Sequence, residues 1–458
     1  MLHAPPRPLA KAELVARYDG RAPRYTSYPT AVQFTPQVDE AAYRAWLAEL
    51  PTDEPVSLYL HVPFCAQLCW YCGCNTRAVV RRRPIADYVE LVLQELALLA
   101  EALPGRLPVR ALHLGGGTPN MLSPAELERL IGALRQAFAF TDDVEIAAEL
   151  DPGVLNADWI AAAGRLGLTR ASLGVQNLAP EVQEAVNRPE RLEDIAECAR
   201  RLRAAGVRSI NFDLMYGLPC QTVANTLATI DALLGLAPER LALFGYAHVP
   251  WMKPHQKLID AAALPGPAER LAQFDAAAQR LAAAGYAQIG LDHFALPADE
   301  LARAQAEGRL RRNFQGYTTD GATTLLGLGA SAIGGLPQGM AQNETRELSW
   351  RNAVRAGRLP IARGVAMTAE DRFRGEIIER LMCDLEADLP AICARHGRDP
   401  ASLAPELERL EPFARDGLVA WRGRRLAVTE TGRLLVRSIA AAFDAYLAPD
   451  AQRHASTL

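Results

Sequence analysis

Six short apolar runs recur between residues 56 and 250: "VSLYLHV", "VRALHLGGG", "VEIAAEL", "TRASLGVQ", "RSINFDLMYG" and "LALFGYAHV". They lack the clean polar alternation of a sheet with one wet face, so they predict strands buried on both sides. Between them lie longer stretches with apolar residues three and four apart, such as "PIADYVELVLQELALLAEAL", "SPAELERLIGALRQAF" and "RLEDIAECARRLRAAG", which predict amphipathic helices. Strand and helix alternate at intervals of about 30 to 35 residues, an order that predicts a parallel α/β sheet with right-handed crossovers. A barrel and an open doubly wound sheet both satisfy it, and both put ligand groups at the carboxyl ends of the strands.

The polar residues follow that rule. The first run ends in His61 and passes into "HVPFCAQLCWYCGCN"; the second ends in "GGGTP", Gly115 to Pro119; the others end at Glu149, Gln176, Asp213 and near His248. One rim therefore collects most of the unusual chemistry. Residues 1–52, with the proline- and tyrosine-rich "PRYTSYPT", read as an N-terminal extension or lid. Residues 53–364 read as the catalytic domain with its C-terminal extension. From 365 to 458 helical spacing returns, and "GLVAWRGRRLAVTETGRLLVRSIAAAFDAYL" predicts a hairpin turning at "RGRR" followed by a capped helix, a separate C-terminal domain of winged-helix-like character.

With 458 residues, a formal net charge of -4 and no run of ~18 apolar residues, the chain has no global signature of a nucleic-acid or membrane partner. The N-terminus carries prolines and charges where a signal peptide is apolar, so the expected location is the cytoplasm. The basic "RGRR" hairpin has few basic neighbours for a DNA-binding wing.

Of eight cysteines, four fall within ten positions: Cys65, Cys69, Cys72 and Cys74. The spread pairing of a disulfide scaffold is absent, and reduced thiols are expected. Three thiolates spaced Cys-x3-Cys-x2-Cys on one loop suit a compact soft metal centre. A structural zinc site prefers two separated ligand pairs, and a Cys-x2-Cys redox pair leaves Cys65 without a task. An iron–sulfur cube held by three cysteines keeps one iron open to a small molecule. "GGGTP" lacks both the dinucleotide spacing and the phosphate-loop lysine, so its glycines suit close backbone approach to a ligand instead. Glu149 and Asp213 are carboxylates suited to ribose hydroxyls, or else plain strand-end partners.

The triad Cys65-x3-Cys69-x2-Cys72 resembles the signature of the radical S-adenosylmethionine superfamily. Further motifs resemble, in order, those of the oxygen-independent coproporphyrinogen III oxidases: "YLHVPFCAQLCWYCGCN", "HLGGGTPN", "AAELDP", "SLGVQ", "VNRPE", "NFDLMYGLP", "GYAHVPW", "GLDHFALP", "RNFQGYTT" and "GLGASAIG". The resemblance spans nearly the whole chain. It implies a partial (β/α)6 TIM-like barrel with a small, mainly α C-terminal domain. It also implies a [4Fe-4S] cluster, two S-adenosylmethionine molecules and a low-potential electron donor. The implied reaction turns the propionates of rings A and B of coproporphyrinogen III into vinyls during haem synthesis, in an enzyme expected to work as a monomer. A haem chaperone of the same fold, or another haem-related member, is the alternative; its relatives usually lack the Gly73–Asn75 "GCN" tail.

Carried over by motif, Cys65, Cys69 and Cys72 are the implied metal ligands. Tyr59, Gly116, Glu149 and Ile333 are the implied contacts of the cluster-bound molecule. Tyr71, Gly117, Thr118, Gln176, Arg188, Asp213 and Ala247 would line a second site, with Tyr71 where the family commonly has phenylalanine. Cys74 and Tyr59 are the catalytic candidates, and Arg188 the candidate carboxylate clamp. A substrate with four carboxylates calls for arginines, and Arg21, Arg24, Arg311 and Arg312 sit in irregular segments that can close over the rim. Cys198, Cys220, Cys383 and Cys393 read as small core residues.

Overall fold

A computed structural model describes residues 10–18, 20 and 22–447. The six apolar runs form parallel strands: β1 (Val56–Val62), β2 (Pro108–Gly116), β3 (Ala139–Leu150), β4 (Arg170–Gln176), β5 (Ser209–Tyr216) and β6 (Arg240–Gly245). They pair in sequence order, each with the next. On the outer side of β1 the sheet continues through Leu325–Leu328, which is parallel to it, and then through antiparallel Ile333–Leu336, Gly339–Asn343 and Ile361–Ala366. Beyond β6 come antiparallel His293–Ala295 and Ala287–Ile289. The two edges do not pair with each other, so the barrel is partial.

Local chemistry explains the crossover helices. Ser123 accepts from Glu126 N while Glu126 reaches back to Ser123 N, a capping box that starts Pro124–Ala137 with proline in its first turn. Helix Arg83–Ala102 buries a stripe of Ile85, Val89, Val92, Leu96 and Leu99 against the sheet. The main core lies between such helices and the strands, around Trp159, Phe138, Phe212 and Trp350.

A second core is built from Phe373, Ile377, Leu381, Ile392 and Phe443, and it includes Leu14, Tyr25 and Tyr28. Leu14, Tyr25 and Tyr28 thus pack with residues 373–443, whereas Tyr43 and Leu47 belong to the main core. Val419–Arg422 and Arg425–Val428 form the hairpin expected at "RGRR", and Glu386–Asp388 adds a third strand. The expected capped helix is cut to Val436–Ala440 and has no side-chain cap. Thr429 Oγ1 instead accepts from Gly432 N at 3.1 Å, so the turn is closed one step earlier. No helix among the described residues is long and apolar enough to cross a membrane.

Candidate active site

The cysteine loop leaves the carboxyl end of β1 and is irregular but anchored at many points. Phe64–Cys65 pairs in parallel with Arg77–Ala78 and closes its neck. Within it, Cys72 N donates to Cys69 O at 3.1 Å, and Trp70 N donates to Val186 O at 3.0 Å. Three side chains from one neighbouring segment satisfy loop carbonyls. His255 Nε2 reaches Cys72 O at 2.7 Å, while Gln256 Nε2 and Lys253 Nζ reach Tyr71 O and Cys74 O at 3.1 Å each. Backbone polar groups outside helix and sheet are thereby paired, which fixes where the sulfurs point.

Each of the three expected ligands has a donor on its sulfur. Thr118 Oγ1 donates to Cys65 Sγ at 3.4 Å, with Thr76 Oγ1 at 3.1 Å from the same atom. Arg188 Nη1 donates to Cys69 Sγ, and Cys74 N to Cys72 Sγ, both at 3.4 Å. Burial pushes the Cys65 and Cys69 thiols up. The hydrogen bond from Cys74 holds Cys72 below the ordinary thiol range and pushes Cys74 itself up. Among the described residues no three His, Cys, Asp or Glu side chains are grouped to hold one metal ion. The cysteines of a four-iron cluster each bind a different iron, so they need not meet at a point. Soft sulfurs with their own donors, and the cations Arg188 and Lys253 beside them, fit a [4Fe-4S] cluster.

Behind the loop, β1, β2 and β3 hold a chain of polar contacts. Tyr59 Oη lies 3.0 Å from His61 Nδ1, and His61 Nε2 lies 2.9 Å from Asn75 O. The carbonyl can only accept, which assigns the proton to Nε2 and leaves Nδ1 to accept from Tyr59. Burial lowers the pKa of His61 and keeps it neutral. The Tyr59 ring stacks on His113 at 5.9 Å, and His113 Nε2 lies 3.1 Å from Glu149 Oε1. Gly116 N donates to the other Glu149 oxygen at 3.1 Å. Burial of Glu149 opposes its ionisation, but His113 and the Gly116 amide outweigh it and hold the carboxyl below its usual range.

The glycines are required by that closeness. Gly116 has φ +110°, and a Cβ there would meet the His61 ring at 2.6 Å. At Gly117 a Cβ would meet Phe64 N at 2.9 Å, so "GGGTP" and the cysteine loop touch backbone to backbone. Ile333 joins this side: Gly327, the β-partner of Tyr59, lies against the Ile333 backbone.

On the other side of the loop Arg188 gives Nη2 to Gly174 O at 2.7 Å and to Asp151 Oδ1 at 3.2 Å, and pairs with Glu190 at 3.1 Å. The expected clamp is thus already turned onto Cys69 and two carboxylates. Gln176, at φ +67°, shares Gly174 with it. Tyr71 packs with Tyr246, Val182 and Val186, and the Ala247 carbonyl accepts from Gln256 at 3.2 Å. Asp213 accepts from Ser172 Oγ at 2.7 Å and Asn211 Nδ2 at 2.8 Å, and burial pushes its carboxyl up to about 6. It lines a cavity of about 250 Å³ with Glu149, His113, His293 and Tyr317.

Reading the chain alone placed His61 at the strand end without its partners, and missed His113, Ser172 and Lys253 as members of the site. His113 carried a signal, since it lies two positions before "GGG" on the same strand and lines the cavity. Arg311 is half exposed and pairs with Glu379 at 2.8 Å. Arg24 and Arg312 line a second, smaller cavity, and Arg21 lies outside the described residues. Cys198, Cys383 and Cys393 are buried as expected, but Cys220 is exposed, at a position with φ +60°.

Comparison with known proteins adds to this geometry. Residues 59–233 match the radical SAM superfamily, and residues 367–435 match the HemN C-terminal domain. The oxygen-independent coproporphyrinogen III oxidase of Bradyrhizobium diazoefficiens is 51% identical over 445 residues, covering 97% of this chain and 99% of that protein. That of Pseudomonas aeruginosa is 43% identical, covering 95% and 96%. The solved coproporphyrinogen III oxidase (HemN) from Escherichia coli, described as a radical SAM enzyme, superimposes with a TM-score of 0.89 at 40% identity, over 93% of this chain and 98% of that one.

Proposed function

This chain belongs to the oxygen-independent coproporphyrinogen III oxidases, and from that premise we propose how its barrel rim divides the work of turning coproporphyrinogen III into protoporphyrinogen IX. It is a radical S-adenosylmethionine oxidoreductase of haem synthesis. Cys65, Cys69 and Cys72 would hold the cluster, which together with S-adenosylmethionine would supply hydrogen-atom abstraction at the propionate β-carbon, the oxidative decarboxylation to a vinyl group being completed by passing one electron to an acceptor.

Cys65, Cys69 and Cys72 hold the cluster, with Thr118, Arg188 and the Cys74 amide stabilising the charge on their sulfurs. Gly116 and Gly117 let the nucleoside come against the backbone. Glu149, ionised and oriented by His113, accepts from its hydroxyl or ammonium groups, beside Tyr59 and Ile333. Tyr71, Gly117, Thr118, Gln176, Arg188, Asp213 and Ala247 border a second molecule, and Cys74 acts beside the first without ligating iron.

Residues 53–364 carry the chemistry, with 1–52 as an extension and 365–458 as the C-terminal domain. We further assign a cytoplasmic monomer supplied by a low-potential electron carrier, with no nucleic-acid partner. The observation that carries the reading is the hydrogen-bond donor on each of the three loop sulfurs. Anaerobic reconstitution with iron and sulfide, then turnover with coproporphyrinogen III, S-adenosylmethionine and a reductant, tests it. Vinyl products are expected; a cluster-loaded protein that leaves the substrate unchanged overturns it.

A further inference from the structure

Four arginines from four distant stretches, Arg24, Arg270, Arg312 and Arg437, line a cavity of about 40 Å³ beside the end of β6. Phe244 is a wall shared with the larger cavity of the barrel centre. Backbone carbonyls hold three of the guanidiniums in place. Arg24 Nη2 donates to Gly245 O at 3.3 Å, Arg270 Nη2 to Tyr246 O at 2.8 Å and Arg437 Nε to Pro23 O at 3.0 Å.

Arg312 is held differently. Its guanidinium lies 4.3 Å from the centre of the Tyr317 ring, and Nη2 reaches Arg24 O at 3.4 Å. Its Nε and Nη1 are buried and have no hydrogen-bond partner. Buried donors of a charged group are costly to leave unpaired, and this pair faces a space lined by further cations. The lining carboxylate, Asp292, is turned to His293 at 2.8 Å. Burial foremost, then the nearness of Arg24 and Arg312, pushes Arg437 down to about 10, which agrees with cations crowded around one space.

The space admits a few water-sized groups, hence one carboxylate, and not a nucleoside or a tetrapyrrole ring. We propose that this pocket receives a non-reacting propionate of the tetrapyrrole, gripped by Arg312 and Arg24, and so sets which propionate reaches the barrel centre across Phe244. The assignment rests on the coproporphyrinogen reading above and names the anchor of that substrate. Arginine suits the task because its planar, permanently charged donors match a carboxylate.

The test uses redox-stable coproporphyrin III as a fluorescent probe, titrated into cluster-loaded wild type, Arg312→Gln and Arg24→Gln, with its tetramethyl ester in parallel. S-adenosylmethionine binding is measured on the same samples. Each substitution is expected to weaken coproporphyrin binding about tenfold or more, to leave S-adenosylmethionine binding unchanged and to leave the already weak ester unaffected. Arg24 is exposed, so its variant reports on the pocket without touching a core, and Arg312→Lys is expected to recover part of the loss. Equal affinities for acid and ester, unimpaired variants, or a matching loss of S-adenosylmethionine would each overturn the pocket. Wild type that turns over coproporphyrinogen III alongside unimpaired variants defeats only this inference, whereas wild type that neither binds nor converts the tetrapyrrole defeats both.

Discussion

Glu149 on β3 and His113 on β2 meet at 3.1 Å, and the second Glu149 oxygen takes the amide of Gly116 at the same distance. Both oxygens therefore accept. In Glu149→Gln one position becomes a donor facing another donor, so one of the two bonds is lost. S-adenosylmethionine affinity is expected to fall roughly tenfold while bound iron stays at the wild-type level. The folded carboxyl titrates below its usual range, so its contribution to stability is complete above the unfolded value and disappears as pH falls through the folded one. Thermal melts between pH 3 and 7 should show a flatter acid limb for the variant; identical limbs would remove Glu149 from the linkage.

Asp213 behaves in the opposite sense. Burial raises its carboxyl from the ordinary aspartate value to about 6, so the folded state prefers the proton more than the unfolded state does. Stability from this group is fully present below the unfolded value and is lost as pH rises through about 6. Asp213→Asn removes the cost. Its melting temperature is expected to exceed that of wild type by roughly 2 °C at pH 7.5 and to merge with it near pH 4. A constant offset across that range would mean that the charge is not what differs.

The six parallel strands were readable because each is an apolar run of strand length bounded by glycine or proline, and pairing in sequence order follows from short crossovers. β1 was anticipated to the residue. What lay hidden depends on tertiary placement. Nothing near Glu95 in the chain announces that a glutamate on an apolar helix face will meet three donors more than two hundred residues away. Arg270 sits on a surface-like helical pattern and Arg437 in the last short helix, yet the fold brings both to Arg24. His113 shares its strand with "GGG", but its partner is on β3. The cysteine loop was legible because its ligands are local, whereas the cations that hold it come from residues 188 and 253.

Glu95 is the polar centre behind the site. Only 2% exposed, it accepts from Gly329 N at 2.8 Å, Trp350 Nε1 at 3.0 Å and Asn343 Nδ2 at 2.6 Å, and burial raises its carboxyl to about 7. Next to Gly329, Ala330 N donates to Tyr88 Oη at 3.0 Å, and Tyr88 Oη donates to His61 O at 2.8 Å. Glu95→Ala strands three donors in the core, at an expected cost of about 3 kcal/mol or more, with Glu95→Gln intermediate. Chemical denaturation of both variants checks this. An alanine variant as stable as wild type would mean that the three donors find other partners.

Cys74 stands apart from the other three thiols of its loop. It is exposed, its amide supports Cys72 Sγ and its carbonyl is held by Lys253, so its backbone serves the loop whatever its side chain does. Cys65→Ala, Cys69→Ala and Cys72→Ala each leave two thiolates for a cluster that needs three, and iron retained after reconstitution is expected to collapse. Cys74→Ala keeps every backbone contact, so iron and sulfide are expected at the wild-type stoichiometry. Formation of 5'-deoxyadenosine should then persist while vinyl product falls by roughly a hundredfold, the size expected when reacting groups are slightly misplaced. Iron analysis together with the ratio of the two products separates the roles. Loss of iron in Cys74→Ala equal to that in Cys72→Ala would make Cys74 part of the cluster's support, and full vinyl formation would leave it no role in the reaction.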